Sequence, residues 1–266
     1  MPNYVGPGLA LDADGFHAAC DALGVAAAEL WAVLSVETSG CGYLATRKPK
    51  ILFERHYFSR LTNHRYDQQA PDVSNPQAGG YGAGGEHQYE RLDKAYALDA
   101  TAALQSASWG IGQVMGTSYA VGGFASVDAM VAAMVASEDA QLATMAGFIR
   151  TNNLATALRL HDWPSFARGY NGPNYAQNNY DGQLQANYQK WANGPLPDLT
   201  VRAAQIYLTY LGIDPHGIDG LSGRHTIDAL NTYLARKGRG PIDHLDDDTF
   251  ALLKADATAS AAPPSA

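Results

Sequence analysis

Between Leu30 and Val36 the chain reads Leu-Trp-Ala-Val-Leu-Ser-Val, and a helix built from those residues has almost no face to offer water. Such a helix has to lie inside a core, and 266 residues that are 46% hydrophobic and 17% charged are enough to wrap one. The same helix then delivers a carboxylate. At helical spacing Glu37 lies over Leu34, Val33 and Leu30, so it follows the apolar stripe. Gly40 is placed to end the helix in a left-handed turn. A carboxylate in the last turn also meets the negative end of the helix dipole. Apolar neighbours and dipole both favour the protonated acid, which predicts a raised pKa and suits a general acid at neutral pH. The ordinary alternative is a helix-end glutamate that points at water, because charged residues seldom stay buried unpaired.

Around that helix the periodicities predict a succession of short helices. The first spans Asp12 to Leu23, with Asp12 or Asp14 as cap and Gly24 as stop, and the acid-bearing helix runs from about Ala26 to Glu37. Lys50 to Phe58 is aromatic and β-branched and follows Pro49; it fits a strand or a short helix, with strand or hairpin preferred. Residues 62–87 are polar and rich in Gly, Pro, Asn and Gln. A connection of that length is either a binding loop or lid, or a disordered surface loop. One long helix is expected from Gln88 to Ser106. A small-residue turn from Ser108 to Gly116 follows, where Gly110, Gly112 and Gly116 imply a backbone that comes close to something.

Further helices are predicted over Val127–Ser137, Ala140–Arg150, Asn153–His161, Trp163–Tyr170 and Asn179–Trp191. Asn193-Gly194-Pro195-Leu196-Pro197-Asp198 reads as a boundary. Beyond it lie helices near Val201–Leu211, Ile227–Arg236 and within Ile242–Leu253. The last two are each led by a turn and a capping residue, a weak internal repeat.

Charge and cysteine usage exclude several classes. A net charge of −8 argues against nucleic acid as a partner. No apolar run is long enough to insert in a membrane. The start, Met1-Pro2-Asn3-Tyr4-Val5-Gly6, has neither the basic nor the apolar region of a signal peptide, so synthesis in a cytoplasm is expected. Two cysteines, Cys20 and Cys41, are too few for a disulfide scaffold; buried free thiols are preferred over a bond between packed helices. The eight histidines are scattered without HxH, HExxH or CxxC spacing, so neither a metal site nor a cofactor is expected.

Three separated segments, Glu37-Thr38-Ser39-Gly40, Trp109-Gly110-Ile111-Gly112-Gln113-Val114-Met115-Gly116 and Gly169-Tyr170-Asn171-Gly172, resemble in order and spacing the goose-type and lytic-transglycosylase branch of the lysozyme superfamily. Pro49-Lys50-Ile51-Leu52-Phe53-Glu54-Arg55-His56, Gln88-Tyr89-Glu90-Arg91-Leu92 and Ala107-Ser108-Trp109-Gly110 look more closely like the N-acetylmuramidase family of phage endolysins, a likeness over about residues 10–192. The C-terminal unit resembles the small three-helix peptidoglycan-binding domain. Gln205, Leu211-Gly212, Asp219-Gly220, Gly223 and Thr226 fall on its pattern, whereas Asp246-Asp247-Asp248 stands where a glycine turn is usual and the following helix is short.

The resemblance implies a mainly α protein: a lysozyme-like α+β catalytic domain with a small β-hairpin or wing (residues 1–192) and a linker (193–198). A three-helix-bundle binding domain (199–256) and a disordered tail (257–266) would follow. It implies cleavage of the β-1,4 bond between N-acetylmuramic acid and N-acetylglucosamine, with Glu37 protonating the departing oxygen. Glu54 is the candidate second carboxylate, its alternative being a salt bridge to Arg55 or Arg91; Glu86 and Asp93 are poorer candidates. Without a second carboxylate, hydroxyls and amides would hold the water, or internal attack by the muramyl hydroxyl would make the enzyme a lytic transglycosylase; hydrolysis is preferred. Gln113 would bond a sugar amide or hydroxyl, Ser108 and Trp109 would shape the floor (Trp109 chiefly as core), Tyr170 would hold Glu37 and Asn171 would contact sugar. Gln205, Asp219, Gly220 and Thr226 would mark the wall-binding unit. The expected partner is peptidoglycan, met by a monomer only after the inner membrane is breached. A non-catalytic wall-binding protein with the same shell is the rival reading.

Overall fold

The computed structural model describes residues 3–38 and 41–260; Gly40, expected to close the acid-bearing helix, lies outside them. Helix α1 (Ala13–Leu23) starts where the Asp12 side chain accepts the Gly15 N–H and stops at Gly24, in the left-handed region at φ 64°. Helix α2 (Ala27–Thr38) carries Leu30, Ala32 and Val33 with no exposure at all, and Trp31 and Leu34 nearly so.

Lys50 to Phe58 divides into a strand, β1 (Ile51–Phe53), and a helix, α3 (Arg55–Leu61), with Glu54 at the joint. The long helix expected from Gln88 to Ser106 is two helices, α4 (Glu86–Tyr96) and α5 (Ala100–Gln105). The break falls at Asp99, whose backbone is extended and whose carboxylate accepts the Ala102 N–H. An aspartate that caps a new helix competes with continuing the old one. The glycine-rich segment forms a hairpin of β2 (Ala107–Trp109) and β3 (Val114–Met115). The three strands pair antiparallel in the order β1-β2-β3, with Ile51 opposite Trp109, Phe53 opposite Ala107 and Trp109 opposite Val114.

Helices α6 (Val127–Ala136), α7 (Glu138–Thr151), α8 (Ala155–Arg159), α9 (Trp163–Asn171) and α10 (Tyr180–Asn193) complete the larger unit. Helix α10 packs along α2, and α7 packs against α1. The result is the mainly helical α+β arrangement with a small sheet that was expected, and its core is centred on α2.

The smaller unit is formed by α11 (Leu199–Tyr210), α12 (Arg224–Arg236) and α13 (Asp247–Ala259). Two expectations are corrected here. Helix α13 has 13 residues, as many as α12, because Asp246 accepts the Thr249 N–H and Asp247 and Asp248 sit at the positive helix end. It also runs to Ala259 with Ala257 fully buried, so the chain is still helix where a disordered tail was expected to begin. The smaller core includes Ala10, Cys41 and Tyr43 from the N-terminal part, so the segment 193–198 joins two units that share packing. Cys20 and Cys41 are buried free thiols in different cores. Among the described residues no single helix is long and apolar enough to cross a membrane.

A Cβ at Gly116 would lie 2.1 Å from the Leu104 carbonyl oxygen, a backbone atom that cannot swing away. Gly116→Ala is expected to destabilise the fold by roughly 2–3 kcal/mol. Asp99→Ala, which loses only a cap, is expected to cost about 1 kcal/mol, the two being compared by urea denaturation.

Candidate active site

A groove of about 1250 Å³ opens beside the end of α2. Its walls include Glu37 and Thr38 from α2, Lys50 to Leu52, Glu54, His56 and Tyr57 around β1 and α3, Tyr81 from the long loop, and Tyr170, Asn171 and Tyr180 from α9 and α10. The loop over 62–87 is thus a wall. It is anchored by Asp67, which accepts hydrogen bonds from Ser59 and Ser74, and by buried Ala70 and Val73.

Glu37 occupies the last turn of α2 and is half-buried. Its Oε1 accepts one hydrogen bond, from Asn171 Nδ2 at 3.0 Å. Loss of water raises its pKa from 4.5 to about 7, and the Asn171 bond, which favours the charged form, acts against that rise. The bond to the acid thus comes from Asn171, where it was expected from Tyr170. Tyr170 does not hold Glu37: its hydroxyl donates to the Gly112 carbonyl at 2.6 Å, and its ring stacks on Phe166 with centroids 5.4 Å apart. Adjacent residues on a helix point about 100° apart, so only one of the two can reach the acid.

Glu54 sits at the N-cap position of α3 but makes no capping bond, which leaves its carboxylate for the groove. Its Oε2 is 3.1 Å from His56 Nδ1. Burial raises the Glu54 pKa, against a hydrogen bond from Tyr81 and the charge of Arg91, and burial lowers that of His56. Neither arginine takes Glu54 in a salt bridge. Arg91 donates to the carbonyls of Phe53, Asp72 and Tyr81, and Arg55 to that of Gln77. Glu86 is held at the rim by Lys48 and Thr46, and Asp93 lies on α4 beside Tyr4.

Ser108 and Gln113 of the hairpin line the groove, and their side chains also bond to each other and to the backbone. Gln113, in the left-handed region at φ 47°, donates from Nε2 to the carbonyls of Gly110 and Lys50, while its Oε1 accepts from Ser108 Oγ. Trp109 is 1% exposed and its Nε1 donates to Leu104 O, so it is core and cannot stack on a sugar. In the smaller unit Gln205, 1% exposed, receives the N–H groups of Asp219 and Gly220 and donates to Asp219 and Thr226. Gln205 and Thr226 tie the turn from inside, Asp219 lies on its exposed side, and Gln205 is closed to a wall polymer.

The motif segments are neighbours in space. Gln88 Oε1 accepts the Phe53 N–H, Arg91 holds the Phe53 carbonyl, Tyr89 donates to Pro49 O and β1 pairs with β2. Their joint occurrence in the sequence reflects one knot of hydrogen bonds behind the groove. A family profile described as N-acetylmuramidase matches residues 26–192, well over half the chain.

The chain belongs to the N-acetylmuramidase family. The muramidase is also similar to the crystal structure of a Burkholderia AP3 phage endolysin, at 35% identity and a TM-score of 0.63, over 69% of this chain and 71% of that one. None of the curated proteins matches it. Three groove residues of this muramidase escaped sequence reasoning. His56 stood in a recognised segment beside Glu54 without drawing notice, whereas Tyr81 in the loop and Tyr180 at the start of α10 carried no signal of their own.

A carboxyl whose pKa rises on folding is compatible with the fold below about pH 4.5 and opposes it as pH rises through about 7. Glu37→Gln is therefore expected to be more stable than wild type at pH 8, by roughly 2 kcal/mol after discounting for partial solvent access. The gap should close below pH 4.5, which denaturation at several pH values will measure.

Proposed function

We propose that this chain is a bacteriophage endolysin that hydrolyses the β-1,4 bond between N-acetylmuramic acid and N-acetylglucosamine in peptidoglycan, with Glu37 as general acid. The observation that carries this reading is Glu37 at the end of a buried helix, its carboxyl pKa pushed up to about 7 by loss of water and bonded by Asn171, in a groove large enough for a glycan strand. Its proton would pass to the glycosidic oxygen as the bond breaks. Glu54 would activate the attacking water, with His56 beside it able to take up the proton as the water attacks. The phenols of Tyr81 and Tyr180 offer amphipathic faces for sugar rings. Asn171 would then position the acid rather than the sugar.

The C-terminal helices are assigned adhesion to the polymeric substrate, which raises local concentration. Gln205, Gly220 and Thr226, all buried, would shape that surface from beneath, and Asp219 is the exposed member of the four. The enzyme would act as a monomer on the cell wall after release from the host cytoplasm.

Mass spectrometry of muropeptides released by wild type, Glu37→Gln and Glu54→Gln tests the reading. Wild type is expected to give reducing ends, and Glu37→Gln to lose about 10²–10⁴-fold in rate. Anhydromuramyl ends would replace hydrolysis by transglycosylation, and no release by wild type would leave only a wall-binding protein. The alkaline limb of kcat/KM is expected near pH 7, where Glu37 ionises. Asn171→Ala, which removes the bond that favours the carboxylate, should move that limb to higher pH.

A further inference from the structure

Glu138, at the start of α7, is completely buried and is the most heavily bonded carboxylate among the described residues. Arg202 on α11, 1% exposed, grips it with both ends of the guanidinium: Nη1 donates to Oε2 at 2.7 Å and Nη2 to Oε1 at 2.8 Å. Two backbone donors share the same oxygens, Leu11 N at 2.9 Å and Gly42 N at 2.8 Å. From Gly42 the bonding runs on toward the acid. Lys50 N donates to Gly42 O at 2.7 Å, and Lys50 Nζ donates to Thr38 O at 3.0 Å, the carbonyl next to Glu37. A cation on a last-turn carbonyl satisfies a group the helix cannot. The Arg202 guanidinium also lies 5.9 Å from the ring of Trp31, on the helix that carries the acid.

The same two regions meet elsewhere. Tyr210 on α11 donates to Gly8 O at 3.0 Å, and Arg47 stacks 4.5 Å over the Tyr210 ring while bonding Ser260. A domain that served only as a tethered adhesive would need none of these contacts, since effective concentration depends on the linker alone.

We infer that the C-terminal unit is a working part of the catalytic domain, and that Arg202 is a positioning residue which, through Glu138, Gly42 and Lys50, holds the end of α2 and hence Glu37 in place. Adhesion to the wall, assigned above, is a separate role of the same unit. Without Arg202 the buried Glu138 charge has no counter-ion in contact among the described residues, and protonating it would release a backbone donor. A freed Gly42 segment would let water reach the helix end.

The test keeps the full chain and compares Arg202→Met and Arg202→Lys with wild type in two readouts. One is kcat and KM on a soluble oligosaccharide of alternating N-acetylmuramic acid and N-acetylglucosamine, too short to gain from adhesion. The other is titration of the Glu37 carboxyl carbon by NMR. Arg202→Met is expected to lower kcat about tenfold with KM little changed. It should also bring the Glu37 midpoint down by about half a unit or more as water gains access. Arg202→Lys, which keeps the charge but not the two-pronged grip, should lie between Met and wild type. If Arg202→Met does not fold, Arg202→Lys is read in the same way. Unchanged kcat together with an unchanged Glu37 titration overturns the inference, even if binding to intact walls is lost. The titration requires no turnover. A wild type that cleaves no oligosaccharide would thus defeat the muramidase mechanism, while the NMR result would still decide the role of Arg202.

Discussion

A helix with no wet face must be surrounded, and that demand organises most of this protein. Helix α2 is covered by α10 along its length and joins α1, α7 and the sheet residue Trp109 in one continuous core. The apolar surface removed from water there supplies the driving force for folding. The same coverage limits the water that reaches the last turn, where Glu37 stands half-buried. Stability and a raised acid pKa thus come from one cause, and an exposed α2 end would forfeit both.

Polar side chains near the groove mostly build it. Gln88, Arg91, Gln113 and Gln141 each use their side-chain donors or acceptors on backbone groups: Phe53, Phe53 and Asp72, Gly110 and Lys50, and Ile111 and Met134 respectively. Irregular backbone inside a protein must find partners that regular helices and sheets supply for themselves. The hairpin behind Glu37 is such backbone, and long amides and guanidinium groups stand in for the missing ladder. This explains how a motif can mark a site while many of its members spend their polar atoms on backbone partners.

What the sequence disclosed followed the range of the interactions concerned. The caps at Asp12 and Gly24 act within a turn, and they were legible. So was the partial burial of Glu37, because its apolar neighbours lie one and two turns away on the same helix. The break at Asp99 was hidden because apolar residues continue at helical spacing on both sides of it, and a capping aspartate looks like any surface aspartate. That Asn171 and not Tyr170 bonds Glu37 turns on a rotation of one residue about a helix axis, finer than a motif resolves. The pairing of Glu138 with Arg202 bridges 64 residues, and neither neighbourhood announces it.

Three glutamates show how far one side chain can be taken by the count and kind of its partners. Glu138 is wholly buried, which alone would keep it neutral, yet two guanidinium bonds and two backbone N–H groups hold its pKa below the usual carboxylate value. Glu37 is less deeply buried, has one amide N–H, and rises to about 7. Glu54 is raised too, its burial opposed by a hydrogen bond from Tyr81 and the charge of Arg91. Desolvation penalises all three, and what sets Glu138 apart is the number of donors fixed on its charged form. In that light Arg202 has a second consequence. By keeping Glu138 ionised it lets a buried carboxylate act as a permanent double acceptor for Leu11 and Gly42, whereas a protonated acid would have to surrender one of those places to its own hydrogen. One glutamate is thus held as a charged structural acceptor while another is pushed toward the protonated form, a division set by their surroundings alone.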